Sequence, residues 1–342
     1  MDIEKDERSM KMERDEHLFF REIKNKLDLN INPGSAINYP DRSSKYIFRL
    51  PEQMELLKGT KYFCPETKLL HFTSLKALLS IINDSSIRMY NLWNSSDEKE
   101  YAYASEIFDR IYEIIGQKGE TRIKIAKTYS FISSFTSSDN YLSHYHWANY
   151  GNNNKGVAIE FEINPEYQTW YKFILSKTFY DKRNDFDALF TAWHNFQSQV
   201  AIPNNCTYDI DMNWLLSLYK DQTYSPEQER RLYLYSDGHH ATFPGHFAKY
   251  TYSELKTQSS TLDIKYFKLP LCNDSWEYEH FKIGQYEDKF WDAIPKIRIS
   301  KIYIGPDAPI KDLEQLRYEM KSSVKEKTGK NIELKDIQKV NL

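Results

Sequence analysis

Residues 68–91 read KLLHFTSLKALLSIINDSSIRMYN, and this stretch decides the fold class. Leu69, Leu70, His71 and Phe72 make a short apolar run of strand length, whereas Leu75, Leu78, Leu79 and Ile82 fall on one helical face. Ser74 stands between them, with a hydroxyl suited to capping the helix, so the reading is strand into helix. A further short strand, IRMYNLW, follows at 87–93. A doubly wound protein would repeat this alternation along the chain. Here the order is mixed, which predicts an α+β fold.

Working outward, 96–115 (SDEKEYAYASEIFDRIYEII) has the pattern of an amphipathic helix, with Asp97 and Glu98 in its first turn. TYSFISSFTSS (128–138) and GVAIEFEI (156–163) alternate as strands, separated by the polar turn YGNNNKG. Residues 165–222 read as mostly helical. RRLYLYSDG, LDIKYFKLPL and KIRISKIYIGP are three more strands, 308–329 is a helix with Pro309 near its start, and NIELKDI is a last strand candidate. Toward the amino terminus, Leu18, Phe19, Ile23 and Leu27 recur at helical spacing until NPGS, and PEQMELLKG is a second short helix. Residues 1–60 are therefore expected to be a helical extension, and 61–342 a single α+β domain.

Composition bounds the function classes. The 342 residues are 40% hydrophobic and 28% charged, as in a globular protein. A net charge of -3 leaves no footprint for general nucleic-acid binding. Cys64, Cys206 and Cys272 are odd in number and lack metal-ligand spacing, and no metal is expected. The charged amino terminus has no apolar core of a secretory signal, and no run approaches 18 apolar residues. The expectation is a cytoplasmic protein without a membrane partner. A nuclease reading lacks a convincing metal cluster, since the carboxylates of SDEKE read as a helix start.

Four clusters carry polar chemistry: His71–Phe72–Thr73–Ser74, Ser133–Ser138, Trp147–Gly151 and Glu227–Arg231. Each also has a structural reading. A histidine at a strand end can simply satisfy a neighbour, and serines on strand edges often bond nearby backbone. Glu229 and Arg231 can pair at i, i+2 on one strand face, worth about 0.5 kcal/mol if exposed. The alternative for Glu227-x-Glu229 is a pair of carboxylates aimed at a polar ligand.

In order and approximate spacing, LHFTSLKALLSII, LWNSSDEKEYAYA, SSFTSSDN, WANYGNNNKGVAIEF, EQERRLY and ISKIYIGP resemble the bacterial domain-of-unknown-function family 2971 over residues 67–320. The chain departs from that pattern in having Ser95–Ser96 after Asn94, where many members carry an aspartate, and in the extra residues SHYH before Trp147. The family pattern in turn looks like the ADP-ribosyltransferase fold of split, twisted sheets.

That resemblance implies an NAD-consuming enzyme, transferring ADP-ribose to a protein, a nucleic acid or water, in the manner of a toxin or phage-defence effector. It implies Glu229 as the carboxylate at the nicotinamide ribose and Glu227 as the group activating an acceptor. His71 would bond the adenosine ribose, and Thr73, Ser134 and Thr136 other polar groups of NAD. Tyr90 or Tyr150 would stack on nicotinamide, and Arg231 would meet the pyrophosphate or hold Glu229. The alternative is a non-catalytic module of the same fold that binds a nucleotide, or a protein partner through the amino-terminal extension.

Overall fold

The computed structural model describes residues 2–29, 32–38, 40, 44–92, 127–181, 183–200, 206–235, 251–255, 263–278, 291–309, scattered positions within 314–322, and 333–336. The fold is α+β. In chain order, α1 (Asp2–Leu27) precedes β1 (Asn32–Asn38), β2 (Ser44–Arg49), β3 (Lys68–Thr73), α2 (Leu75–Asp84), β4 (Ser86–Asn91) and β5 (Ser130–Ser137). Then come α3 (His144–Asn149), β6 (Val157–Ile163), β7 (Phe173–Lys177), α4 (Arg183–Gln199), β8 (Cys206–Asp211), α5 (Asn213–Ser217) and β9 (Arg230–Tyr235). β10 (Thr251–Leu255), β11 (Asp263–Pro270), β12 (Ile297–Ile304) and β13 (Glu333–Asp336) complete the set. The helix expected at 96–115 lies outside the described residues, as does most of the one at 308–329.

Ten strands form one sheet in the order β10-β11-β4-β5-β3-β6-β12-β13, with β9 on β5 and β7 on β9. Among the described strands of this sheet, β12 and β13 are the one pair that runs parallel. β5 is the pivot. Along one flank, Ser130–Phe135 pair with β9. The other flank is shared: Phe131 and Ile132 pair with β4, whereas Thr136 and Ser137 pair with Leu70 and Leu69 of β3. Among the described residues, Ser133–Phe135 have no strand partner on that flank. β3 peels away to follow β6, β4 peels away to follow β11, and α2 spans the fork between them. The sheet therefore splits at Ser133–Ser134, and the opening residue run supplies both lips of the split.

The local chemistry explains the connection. The Ser74 hydroxyl accepts the Ala77 amide and starts α2, while left-handed Ser85 (φ 44°) ends it and turns the chain directly into β4. Gly156 permits the close crossing that fixes the end of β3, because a Cβ there would lie 2.2 Å from the Thr73 carbonyl oxygen.

Two expectations need correction. The amino-terminal 60 residues are not wholly helical: β1 and β2 form a three-stranded sheet completed by β8 from mid-chain. The stretch 165–222 likewise contains β7 and β8 besides its helices. α1 docks through Phe19, whose ring meets Phe48, Trp193 and Phe196 at centroid distances of 4.6, 5.4 and 5.2 Å. Leu18, Phe19 and Ile23 all pack in the core rather than standing free. No helix of the described residues is long and apolar enough to cross a membrane.

Candidate functional site

The split opens into a cleft of about 810 Å³, within the range of small-molecule sites, roughly 300–1,000 Å³. His71 and Thr73 line it from β3, Tyr90 from β4 and Ser134 from β5. Tyr150 and Glu227 close the opposite side. Thr136, Glu229 and Arg231 do not line the cleft; all three are buried behind it.

His71 faces the Ser134 carbonyl across the fork, with Nδ1 at 2.9 Å. A carbonyl oxygen only accepts, so Nδ1 carries the proton and neutral His71 keeps a bare Nε2 lone pair. Desolvation pulls its pKa below the ordinary histidine value, outweighing the opposing hydrogen bond to Ser134. The ring is thus held as a neutral acceptor.

The glutamates are not alternate residues on one strand. Glu227 ends the 3-10 turn Gln222–Glu227, Gln228 is left-handed at φ 45°, and Glu229 leads into β9. That single left-handed residue brings both carboxylates onto the Lys220 ammonium, which lies 2.8 Å from an oxygen of each. Lys220 is the functional residue that sequence reasoning missed. It stands seven and nine residues before its partners in YKDQTYSPEQE, at a spacing no regular element would bring together.

The two carboxylates have different environments. Arg231 forks onto Glu229, with Nε to Oε1 and Nη2 to Oε2 both at 3.0 Å. The Ser134 hydroxyl donates to Oε1, and Lys220 reaches Oε2 at 2.8 Å. A carboxylate offers about four acceptor sites, and these contacts fill all of them. Burial alone would raise the Glu229 pKa, but Arg231 and Lys220 outweigh it and hold the acid far below the usual carboxylate range. Arg231 is itself wholly buried and also donates to the Ser217 carbonyl. It therefore holds Glu229 and is not placed to meet a pyrophosphate in the cleft. In this arrangement Glu229 has no oxygen left for a ribose hydroxyl.

Glu227 differs. Tyr150 donates its hydroxyl to Oε1, and Lys220 donates to Oε2 at 2.8 Å. One acceptor site on each oxygen remains, and the side chain borders the cleft. Its backbone is fixed as well. His146 Nε2 lies 2.8 Å from the Glu227 carbonyl, and Thr136 Oγ1 donates to the same oxygen at 3.3 Å. Thr136 is thus a support behind the site. α3 delivers His146, and its C-cap residue is Tyr150, the helix being anchored by buried Trp147 packing on Phe72. Burial lowers the His146 pKa, so this ring too is held neutral.

Among the described residues, no three His, Cys, Asp or Glu side chains converge to hold a metal ion. No family model, curated protein or solved structure matches the chain, so the resemblance to family 2971 rests on the quoted motifs alone.

Proposed function

We propose that the cleft binds NAD and that the protein consumes it, transferring ADP-ribose or hydrolysing NAD on a split sheet of the ADP-ribosyltransferase type. What supports the reading is one connected chain of contacts: His71 on β3 bonds the Ser134 carbonyl on β5, and the Ser134 hydroxyl bonds Glu229 before β9. Three motifs far apart in sequence are thereby linked beside one cleft, which His71, Ser134 and Glu227 line. The substrate-facing carboxylate is Glu227 rather than Glu229, because only Glu227 retains acceptor sites at the cleft surface.

As the ribose C1′–N bond breaks, its electron pair leaves with neutral nicotinamide and positive charge develops on the sugar. The Glu227 carboxylate stabilises that charge from a fixed position, at no cost of reorganisation. The acceptor, a protein or nucleic-acid group or water, then bonds to C1′, and its proton passes to Glu227 or to solvent. His71 Nε2 accepts from a ribose hydroxyl, while the half-exposed rings of Tyr90 and Tyr150 offer stacking faces.

The filled acceptor sites of Glu229 favour a second reading, a binding module in which that acid is purely structural. Incubation with NAD, with and without cell lysate to supply an acceptor or trigger, separates the two. The enzyme releases nicotinamide. The module binds NAD and returns it intact.

A further inference from the structure

The cleft has a second end, away from Glu227, between α2 and the face of the sheet. Ala77, Ser80, Ile81 and Asp84 line it at i, i+3, i+4 and i+7, so one face of α2 forms the wall. Cross-strand pairing sets Tyr90 of β4 opposite Ile132 of β5 on one side and Tyr266 of β11 on the other. Side chains alternate along a strand, so Tyr90, Ile132 and Ile264 share the sheet face that forms the floor, and all three line the cleft. β11, β4, β5 and β9 lie side by side, and Glu227 precedes β9. Three strand spacings, about 14 Å, therefore separate the Ile264 end from the strand that the glutamates enter.

Both sides of this slot are largely apolar, with Ala77 and Ile81 on the helix and Ile132 and Ile264 on the sheet. Tyr90 is 45% exposed, which leaves much of its ring uncovered beside them. One polar group points to a ligand. Ser86, on the same β4 face as Tyr90, is 1% exposed and borders the cleft, yet its hydroxyl has no hydrogen-bond partner among the described residues. A buried hydroxyl left unpaired costs free energy, so an orphan at a cleft wall marks a place for a ligand atom that accepts a hydrogen bond. Of the charged groups at this end, Asp84 and Arg88 face each other at 3.5 Å, and Lys76 is exposed to solvent.

We propose that this slot takes an uncharged, planar heteroaromatic ring, the purine base of a nucleotide. Tyr90 stacks on the ring, and the Ser86 hydroxyl donates to a ring nitrogen. A neutral purine enters apolar surroundings at little cost and brings ring nitrogens that accept a hydrogen bond. The nicotinamide ring of NAD is a cation whose ring nitrogen carries the ribose. It has no ring acceptor for Ser86, and its charge suits the end that holds Glu227. The assignment rests on reading the cleft as a nucleotide site and deepens it by fixing polarity: purine between α2 and β4, the bond to be broken toward Glu227.

Calorimetric titration of the full chain with adenosine, nicotinamide riboside and ribose tests it, since the three share the sugar and differ in the base. Adenosine is expected to bind roughly tenfold or more tightly than ribose. Tyr90→Ala should weaken adenosine roughly fivefold or more, with a much smaller effect on nicotinamide riboside, and Ser86→Ala should weaken adenosine about threefold to tenfold. Ala77→Phe, which fills the slot, should act on adenosine as Tyr90→Ala does, with thermal unfolding checking that each variant is folded. Adenosine that binds no more tightly than ribose overturns the slot. So does a folded Tyr90→Ala variant that keeps wild-type affinity for adenosine or loses both nucleosides equally. Release of nicotinamide from NAD then judges the NAD reading separately. Adenosine binding that depends on Tyr90, in a protein that never releases nicotinamide, upholds the slot while the NAD reading fails.

Discussion

Glu227 and Glu229 carry the same functional group two residues apart, yet their surroundings assign them opposite tasks. Removing the Glu229 charge strands Arg231 and Lys220 in the interior, and breaking a buried pair typically costs about 3–5 kcal/mol. Glu229→Gln is therefore expected to lose stability of that order in urea unfolding, whereas Glu227→Gln, which keeps acceptors for Tyr150 and Lys220, should lose less, about 1–3 kcal/mol. The histidines give a pH signature with a fixed sign. Both His71 and His146 have folded pKa values below the ordinary 6.5, so below pH 6.5 the unfolded chain binds more protons than the folded one. Stability is complete above that pH and falls as the pH drops toward the folded values. Unfolding followed between pH 7.5 and 5 should show this decline, and His71→Asn should make it shallower without abolishing it, since His146 still contributes.

At the scale of elements, the left-handed Gln228 makes the site. It turns a surface 3-10 turn into β9 and lets both glutamates meet Lys220. A β-branched side chain tolerates that conformation poorly, so Gln228→Val is expected to cost about 1–2 kcal/mol, while Gln228→Gly should be close to neutral. Comparison of the two variants by thermal unfolding checks this. The site was legible as far as its motifs and no further. His71 and Ser134 were readable because β3 and β5 carry clean strand patterns. The strand-like reading of Glu227-x-Glu229 missed the left-handed residue because glutamine carries no turn signal, whereas glycine would have given one. β7 and β8 were hidden for a related reason: they are short, flanked by helices, and FILSK and CTYDID alternate too weakly to oppose the helical residues around them. Lys220 had no signal at all, since its partners come to it through a loop.

Over the whole molecule, the amino-terminal segment is part of the fold rather than an appendage. Phe19 fills an aromatic cluster built by β2 and α4, and Phe19→Ala should cost about 3–5 kcal/mol, read as a lower midpoint in denaturant. The α+β class followed from the mixed order of elements, but the division at residue 60 did not hold, because strand pairing between residues 44–49 and 206–211 is non-local and leaves no trace in either segment alone. In the ten-stranded sheet, the fork at β5 sets one carboxylate, Glu227, on the wall of the cleft and leaves its neighbour Glu229 buried behind it. The most direct test of that claim is the rate of nicotinamide release from NAD by wild type, Glu227→Gln and Glu229→Gln, under one activating condition and with folded fractions matched. The account predicts release by wild type and a roughly 100- to 1,000-fold drop for Glu227→Gln, with Glu229→Gln losing activity only in proportion to the fold it destabilises. Release by Glu227→Gln at the wild-type rate would contradict it.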